Sequence, residues 1–246
     1  MKKEHVELSA RLKRIADMVS AGNVVCDVGC DHGFVSIYLI QQQIATKVYA
    51  MDVRKGPLER AIEHIEAYGL TEQIETRLSD GVEKLGVGEA DAMVLAGMGG
   101  KLMQKILSEG RDKCRAMKEL VLGPQSEIAQ FRAFLREEGY AIANEDMILE
   151  DGKFYPILRV IPGGVEKCMG EVSATDENEQ ELFDAFGPIL LSGKNPVLLQ
   201  YLDFLQGLNE EIQKTVSSLG GEGARVRLAQ VEEELAKITK AREYFK

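Results

Sequence analysis

Val24-Val25-Cys26-Asp27-Val28-Gly29-Cys30-Asp31-His32-Gly33 passes from an apolar, β-branched run to an acidic residue, then to a short loop with glycines at 29 and 33. Phe34, Ile37, Tyr38 and Ile40 follow at helical spacing. Strand, tight turn and helix start in that order put backbone N–H groups and the positive end of a helix dipole at the carboxyl end of a parallel strand. Open α/β sheets bind their ligands there.

Working outward, strands are expected at 24–28, 47–51, 73–78, 91–96 and 119–123, alternating with helices at 34–43, 57–68, 99–109 and 127–138. Leu8, Leu12, Ile15 and Val19 mark residues 5–20 as an amphipathic helix, and Pro57 is placed to open its helix. Strict alternation argues for a parallel sheet covered on both faces. After Gly139 the pattern changes: Tyr140–Leu149 and Phe154–Ile161 flank Asp151-Gly152, a hairpin signal. Farther on, Leu198, Tyr201, Leu205, Leu208, Ile212, Thr215 and Leu219 form one heptad run, and Leu228, Val231, Leu235, Ile238, Arg242 and Phe245 another. Gly220-Gly221-Glu222-Gly223 separates them. The fold class expected is α/β: a doubly wound, seven-stranded Rossmann-like sheet with an N-terminal helix and a C-terminal antiparallel coiled-coil hairpin. Residues 1–162 form the sheet domain, 163–195 a linker (163–180) and a segment (183–191) that packs back, and 196–246 a helical arm that serves either as an RNA or dimer contact or as a structural cap.

The composition is that of a globular chain, 45% apolar and 28% charged, with net charge −10. No apolar run is long enough to span a bilayer, and Met1-Lys2-Lys3-Glu4-His5 lacks a signal-peptide core. Cysteines 26, 30, 114 and 168 form no C-x-x-C pair, which points to reduced thiols, a cytoplasmic setting and no metal. The acidic total argues against nucleic acid until its distribution is considered. Lys101, Lys105, Arg111, Lys113, Arg115 and Lys118 crowd one stretch against only Glu109 and Asp112. A basic surface is what RNA needs, although a solvated helix face reads the same way.

Asp27, Asp31 and Asp52 make the mouth of the first loop acidic, which disfavours phosphate and suits a cation; S-adenosylmethionine carries a sulfonium and an ammonium. Asp31 also stands where a dinucleotide loop needs glycine. Asp27 is placed to hold the ammonium, Gly29 to let the amino-acid end approach, and Asp52, about 20 residues on, to grip a ribose diol. Asp80-Gly81 is placed to accept from an adenine amino group, or is a simple turn. Ala96-Gly97-Met98-Gly99-Gly100 faces the first loop across the switch point, open enough for a flat base to lie on backbone, with Met98 a polarizable contact. Gly123-Pro124-Gln125 adds an amide at the same rim, and His32 reads as proton acceptor, aromatic platform or turn residue.

Together these segments resemble the bacterial tRNA (adenine-22-N1)-methyltransferase family. The likeness rests on Leu8-Ser9-Ala10-Arg11-Leu12, Asp27-Val28-Gly29-Cys30-Asp31-His32, Gly56-Pro57, Asp80-Gly81, Ala96-Gly97-Met98-Gly99-Gly100, Glu150-Asp151-Gly152-Lys153-Phe154-Tyr155 and Phe186-Gly187-Pro188. The family usually has tyrosine at Phe34, proline at Ser36, Gln-Pro-Asn at Gly123-Pro124-Gln125 and often glutamate at Asp52. The resemblance implies methyl transfer from S-adenosylmethionine to N1 of adenine 22. Arg11, Asp27, Gly29, Asp52, Asp80, Gly81, Gly97 and Met98 would hold the cofactor. Asp31, His32 and Gln125 would stand at the reacting base, with tRNA phosphates on Lys101, Lys105, Arg111, Lys113 and Arg115. Three rivals stay open: a methyltransferase of a non-RNA substrate, a non-catalytic module retaining the fold, and a nicotinamide dehydrogenase. Oligomeric state is left open, with a monomer slightly favoured.

Overall fold

β1 (Asn23–Val28) is buried on both faces apart from Val24, the mark of a strand in the middle of a covered parallel sheet. It pairs in parallel with β2 (Ala45–Asp52) on one side and with β4 (Ala92–Met98) on the other. β3 (Ile74–Leu78) extends the sheet beyond β2, and β5 (Glu119–Pro124) beyond β4. β6 (Tyr140–Glu150) and β7 (Lys153–Pro162) form the expected hairpin through Asp151-Gly152, and β7 inserts antiparallel against β5. The order is β3-β2-β1-β4-β5-β7-β6, so the direction of winding reverses between β1 and β4. A crevice opens there at the carboxyl ends.

In this computed structural model residues 5–163, 174–218 and 221–246 are described. They form two compact units, Met1–Glu171 and Val172–Lys246. In the first, alternation along each strand divides the core into two layers. Val25, Val48, Ala50, Val94 and Val121 meet α1 (Ala10–Asp17), α2 (Phe34–Gln41) and α3 (Lys55–Tyr68) through Ile15, Ile37, Leu39 and Ile65. Cys26, Met51, Met93, Leu95 and Leu120 meet α4 (Gly100–Glu109), α5 (Arg111–Ala116) and α6 (Ile128–Glu137) through Met103, Leu107, Cys114 and Phe131.

Several boundaries differ from expectation. α1 begins at Ala10 rather than residue 5, because the Ser9 side chain caps it by accepting from Leu12 N–H. α3 begins two residues before Pro57, whose missing N–H falls in a first turn that has no intrahelical acceptor. α5 was not anticipated. The linker expected over 163–180 lies partly outside the described residues, and its end already belongs to α7 (Glu177–Phe186), capped by Asp176.

α8 (Pro188–Ser192), α9 (Pro196–Ser217) and α10 (Glu222–Glu243) complete the second unit, with α9 and α10 packed along each other. Gly220 of the turn lies outside the described residues. The α10 seam holds at Val231 and Ile238, but on α9 it runs through Leu198, Leu202 and Asn209, leaving Leu208 exposed. Asn209 Nδ2 donates to Leu205 O at 3.0 Å, while its Oδ1 is buried without a hydrogen-bond partner among the described residues. Cys26, Cys30 and Cys114 are free and buried, while Cys168 lies outside the described residues. No described helix is long and apolar enough to cross a membrane.

Candidate active site

The loop after β1 is folded back on β2: Gly29 N–H and Cys30 N–H both donate to Met51 O, at 2.8 and 2.9 Å. Gly29 has φ +76°, and a Cβ there would sit 2.2 Å from Met98 Cε. The Met98 side-chain end could move aside, so it is the left-handed backbone that calls for glycine here. The Asp31–Gly33 turn that follows rests against α3, where His64 Nδ1 donates to His32 O at 2.9 Å.

These loops surround a cavity of about 600 Å³. Arg11, Asp27, Gly29, Asp52, Asp80, Gly81, Gly97 and Met98 all line it, as do Asp31 and His32. Gln125 does not: its N–H donates to Met98 O at 2.9 Å, and the residue is exposed. The glycines after β4 divide by cause. Gly97 (φ +76°) has nothing within 4 Å of where a Cβ would stand, whereas Gly99 and Gly100 are tight against Ser126. Packing therefore accounts for two of them, and Gly97 alone leaves open backbone on the cavity.

Asp27 is 3% exposed and accepts from Ser36 Oγ at 2.6 Å. Burial pushes its carboxyl up to about 6, against the pull of that hydrogen bond. Asp52, equally buried, accepts from Arg54 N–H at 2.8 Å and Asp31 N–H at 3.3 Å, so two loops fix its orientation. Burial also pushes the Cys30 thiol well up, which keeps it protonated and removes it as a nucleophile.

Arg11 was reached only through the family likeness, and its environment is distinctive. Its N–H donates to Glu150 Oε1 at 3.0 Å, and its guanidinium lies 4.9 Å over the Tyr155 ring. Nε and Nη1 are buried without a hydrogen-bond partner among the described residues. Nε faces Glu150 Oε2 only at 3.7 Å, and a guanidinium with unpartnered donors on the cavity suits a carboxylate. The lining also includes Val53, Ser79, Leu102 and Ile106, which the sequence reading did not single out. Val53 directly follows Asp52, the one sequence signal that pointed toward it.

The basic stretch is largely engaged within the protein. Arg111 and Arg115 lie 2.9 and 3.6 Å from Glu138, and Lys113 donates to Val82 O and Glu83 O at 2.8 and 2.7 Å. Lys105 sits between Asp80 and Glu109, at 3.5 and 3.8 Å. Lys101 has an 82% exposed side chain and only a 4.0 Å approach to Glu127. No group of His, Cys, Asp and Glu able to hold a metal occurs among the described residues.

A seven-stranded sheet with an antiparallel last pair, and an acidic crevice where a dinucleotide fold needs glycines, defines a Rossmann-like methyltransferase. Residues 8–158 accordingly match the family model for a methyltransferase domain. The chain is 32% identical over 217 residues to the tRNA (adenine(22)-N(1))-methyltransferase of Bacillus subtilis, covering 87% of this chain and 89% of that one. It belongs to this family. The crystal structure of the B. subtilis m1A22 tRNA methyltransferase is 28% identical, with TM-score 0.80 over 96% of this chain and 99% of the other. A Streptococcus pneumoniae candidate tRNA (m1A22) methyltransferase in complex with S-adenosyl-L-methionine is 28% identical, with TM-score 0.79 over the same shares.

Proposed function

We propose that this chain transfers the methyl group of S-adenosylmethionine to N1 of adenine 22 in tRNA, in the cytoplasm. The observation that carries the reading is one cavity lined by a buried carboxylate, Asp27, and a guanidinium with orphaned donors, Arg11. That pair suits a zwitterionic amino-acid end. Asp52 suits the ribose diol, Val53 and Leu102 the faces of the adenine, and Asp80 its amino group. Bound there, S-adenosylmethionine supplies a methyl group made electrophilic by its sulfonium.

Adenine N1 has a free lone pair near neutral pH, so the chain need not remove a proton. Its work is to orient the base and to stabilise the positive charge the base acquires. Asp31 suits the second task, its side chain 56% exposed and lining the cavity. His32 lies beside it, Nε2 3.7 Å from Asp31 Oδ2, and Gln125 stands farther out, where it can meet RNA but not the cavity. A base paired within tRNA must leave its stack to reach this depth.

The test is methyl transfer from labelled S-adenosylmethionine to an unmodified bacterial tRNA, with nucleoside mass spectrometry and a tRNA carrying guanine in place of adenine 22. N1-methyladenosine that disappears with the substituted tRNA is the expected result. An unlabelled tRNA, or label at another position, overturns the assignment.

A further inference from the structure

Three rings, from α2, from α3 and from the turn that leads into α2, meet at the cavity mouth. Phe34 and His64 lie 4.6 Å apart between centroids, 19° from parallel; His32 lies 5.7 Å from each, at 7° to Phe34 and 26° to His64. A column of stacked rings would place its outer members about twice as far apart as neighbours. Near-parallel rings with centroids this close cannot share a plane, so the three overlap with offset, a stepped ledge rather than a flat one. His32 and Phe34 line the cavity, and His64 of α3 extends the ledge away from it.

The ledge is held in place. His64 Nδ1 donates to His32 O at 2.9 Å, which puts the proton of the neutral ring on Nδ1 and leaves Nε2 as an acceptor. A Cβ on Gly33 would come within 3.1 Å of Ala61 Cβ, so the turn carrying His32 is pressed against α3. The surroundings mix charges: Arg60 lies 3.7 Å from Asp31, Arg54 has a 72% exposed side chain, and Glu59 and Glu63 are exposed on α3.

We propose that His32, Phe34 and His64 form a stacking platform for the purine that is presented to the methyl donor, with His64 as a substrate-positioning residue. This rests on the tRNA reading and adds the surface that receives the base. An extruded base loses its stacking neighbours, and a ledge of parallel rings at the cavity edge replaces them. Methylation at N1 makes the base a cation, which the ring faces and Asp31 favour together.

His64→Gln and His64→Phe separate stacking from tethering. Glutamine can still donate toward His32 O but removes the ring, while phenylalanine keeps a ring and loses the donor. With unmodified tRNA, His64→Gln should raise KM for tRNA about tenfold, the range of one base–ring stack. His64→Phe should recover most of that increase, and the affinity of both variants for S-adenosylmethionine should stay within about twofold of the parent, since His64 lies outside the cavity lining. A 2-aminopurine placed at position 22 should be quenched on binding by the parent and by His64→Phe, and less by His64→Gln. The proposal fails if His64→Gln matches the parent, if His64→Phe is the worse variant, or if both lose cofactor affinity. A parent that leaves tRNA unmethylated overturns the tRNA reading itself, so the two failures are distinct.

Discussion

The Ser36 hydroxyl donates to Asp27 Oδ2 at 2.6 Å, tying the third residue of α2 to the carboxylate near the end of β1. Both side chains are buried, so this bond faces no competition from water. It occupies the position where the family usually has proline, which could not make it. Cys30 is buried nearby, and Asp52 adds negative charge that works with burial to raise Asp27. Arg11 lines the same cavity from α1. Binding a cationic ammonium requires Asp27 ionised, so cofactor affinity should be constant above about pH 6 and fall below it. Ser36→Ala removes the hydrogen bond that opposes the rise, so the break should move to higher pH, with affinity at pH 7 reduced about tenfold. Isothermal titration from pH 5 to 8 checks this, and an unmoved break would show that Ser36 only fills space.

Asp27 also carries a stability cost in the absence of cofactor. Its folded value, about 6, lies above the ordinary 3.8, so the folded state binds its proton more tightly than the unfolded state. The sign follows: the favourable contribution is complete below about pH 4 and is lost as pH rises through 6. The difference corresponds to about 3 kcal/mol, an upper figure for so buried a group. Asp27→Asn should therefore show a flatter stability curve than the parent between pH 4 and 7 in urea unfolding. It should match or exceed the parent at pH 7.5 while losing at least about tenfold in cofactor affinity, the usual opposition of site and stability. Parallel curves across that window would refute the cost assigned to Asp27.

What could be read from the sequence was whatever neighbouring residues decide. β1 to β5 were legible because β-branched runs ended at glycines or carboxylates, and the hairpin because Asp151-Gly152 needs positive φ at both positions, 49° and 73°. Many residues around the cavity lie at strand ends and followed from them, whereas Arg11 of α1 came only through the family likeness and Leu102 and Ile106 of α4 were not singled out. Tertiary partners were not legible. The basic stretch was correctly read as charged, but Glu138, which holds Arg111 and Arg115, lies far along the chain. His64 is a single histidine in a polar helix, and nothing local announces that it meets Phe34. Gln125 follows the expected strand end, yet it is exposed and does not line the cavity.

Arg11 offers a test that separates charge from geometry. Its buried Nε and Nη1 have no hydrogen-bond partner among the described residues, and its planar group is set by Tyr155 and by Glu150 at 3.7 Å. If the guanidinium takes the carboxylate of the cofactor, Arg11→Lys keeps the charge but loses the planar, delocalised set of donors, and affinity should fall about tenfold. Decarboxylated S-adenosylmethionine has nothing to offer the guanidinium, so its weaker binding should be nearly the same in parent and variant. Equal losses for both ligands would instead assign Arg11 to supporting the fold.

The basic residues should contribute unequally to tRNA binding, because most already have partners. Each phosphate that a variant no longer neutralises lowers the slope of log affinity against log salt by about 0.7 to 0.9. Lys101, 82% exposed and only loosely near Glu127, should show close to that full decrement when changed to alanine. Arg115 bonds to the Glu138 carbonyl as well as its carboxylate, and Lys113 donates to two carbonyls, so their charges are held back from solvent. Arg115→Ala and Lys113→Ala should reduce the slope by less than half as much, while lowering thermal stability where Lys101→Ala leaves it unchanged. Binding titrations between about 50 and 200 mM salt measure all three. Equal decrements would mean that the Glu138 and carbonyl bonds give way when RNA arrives.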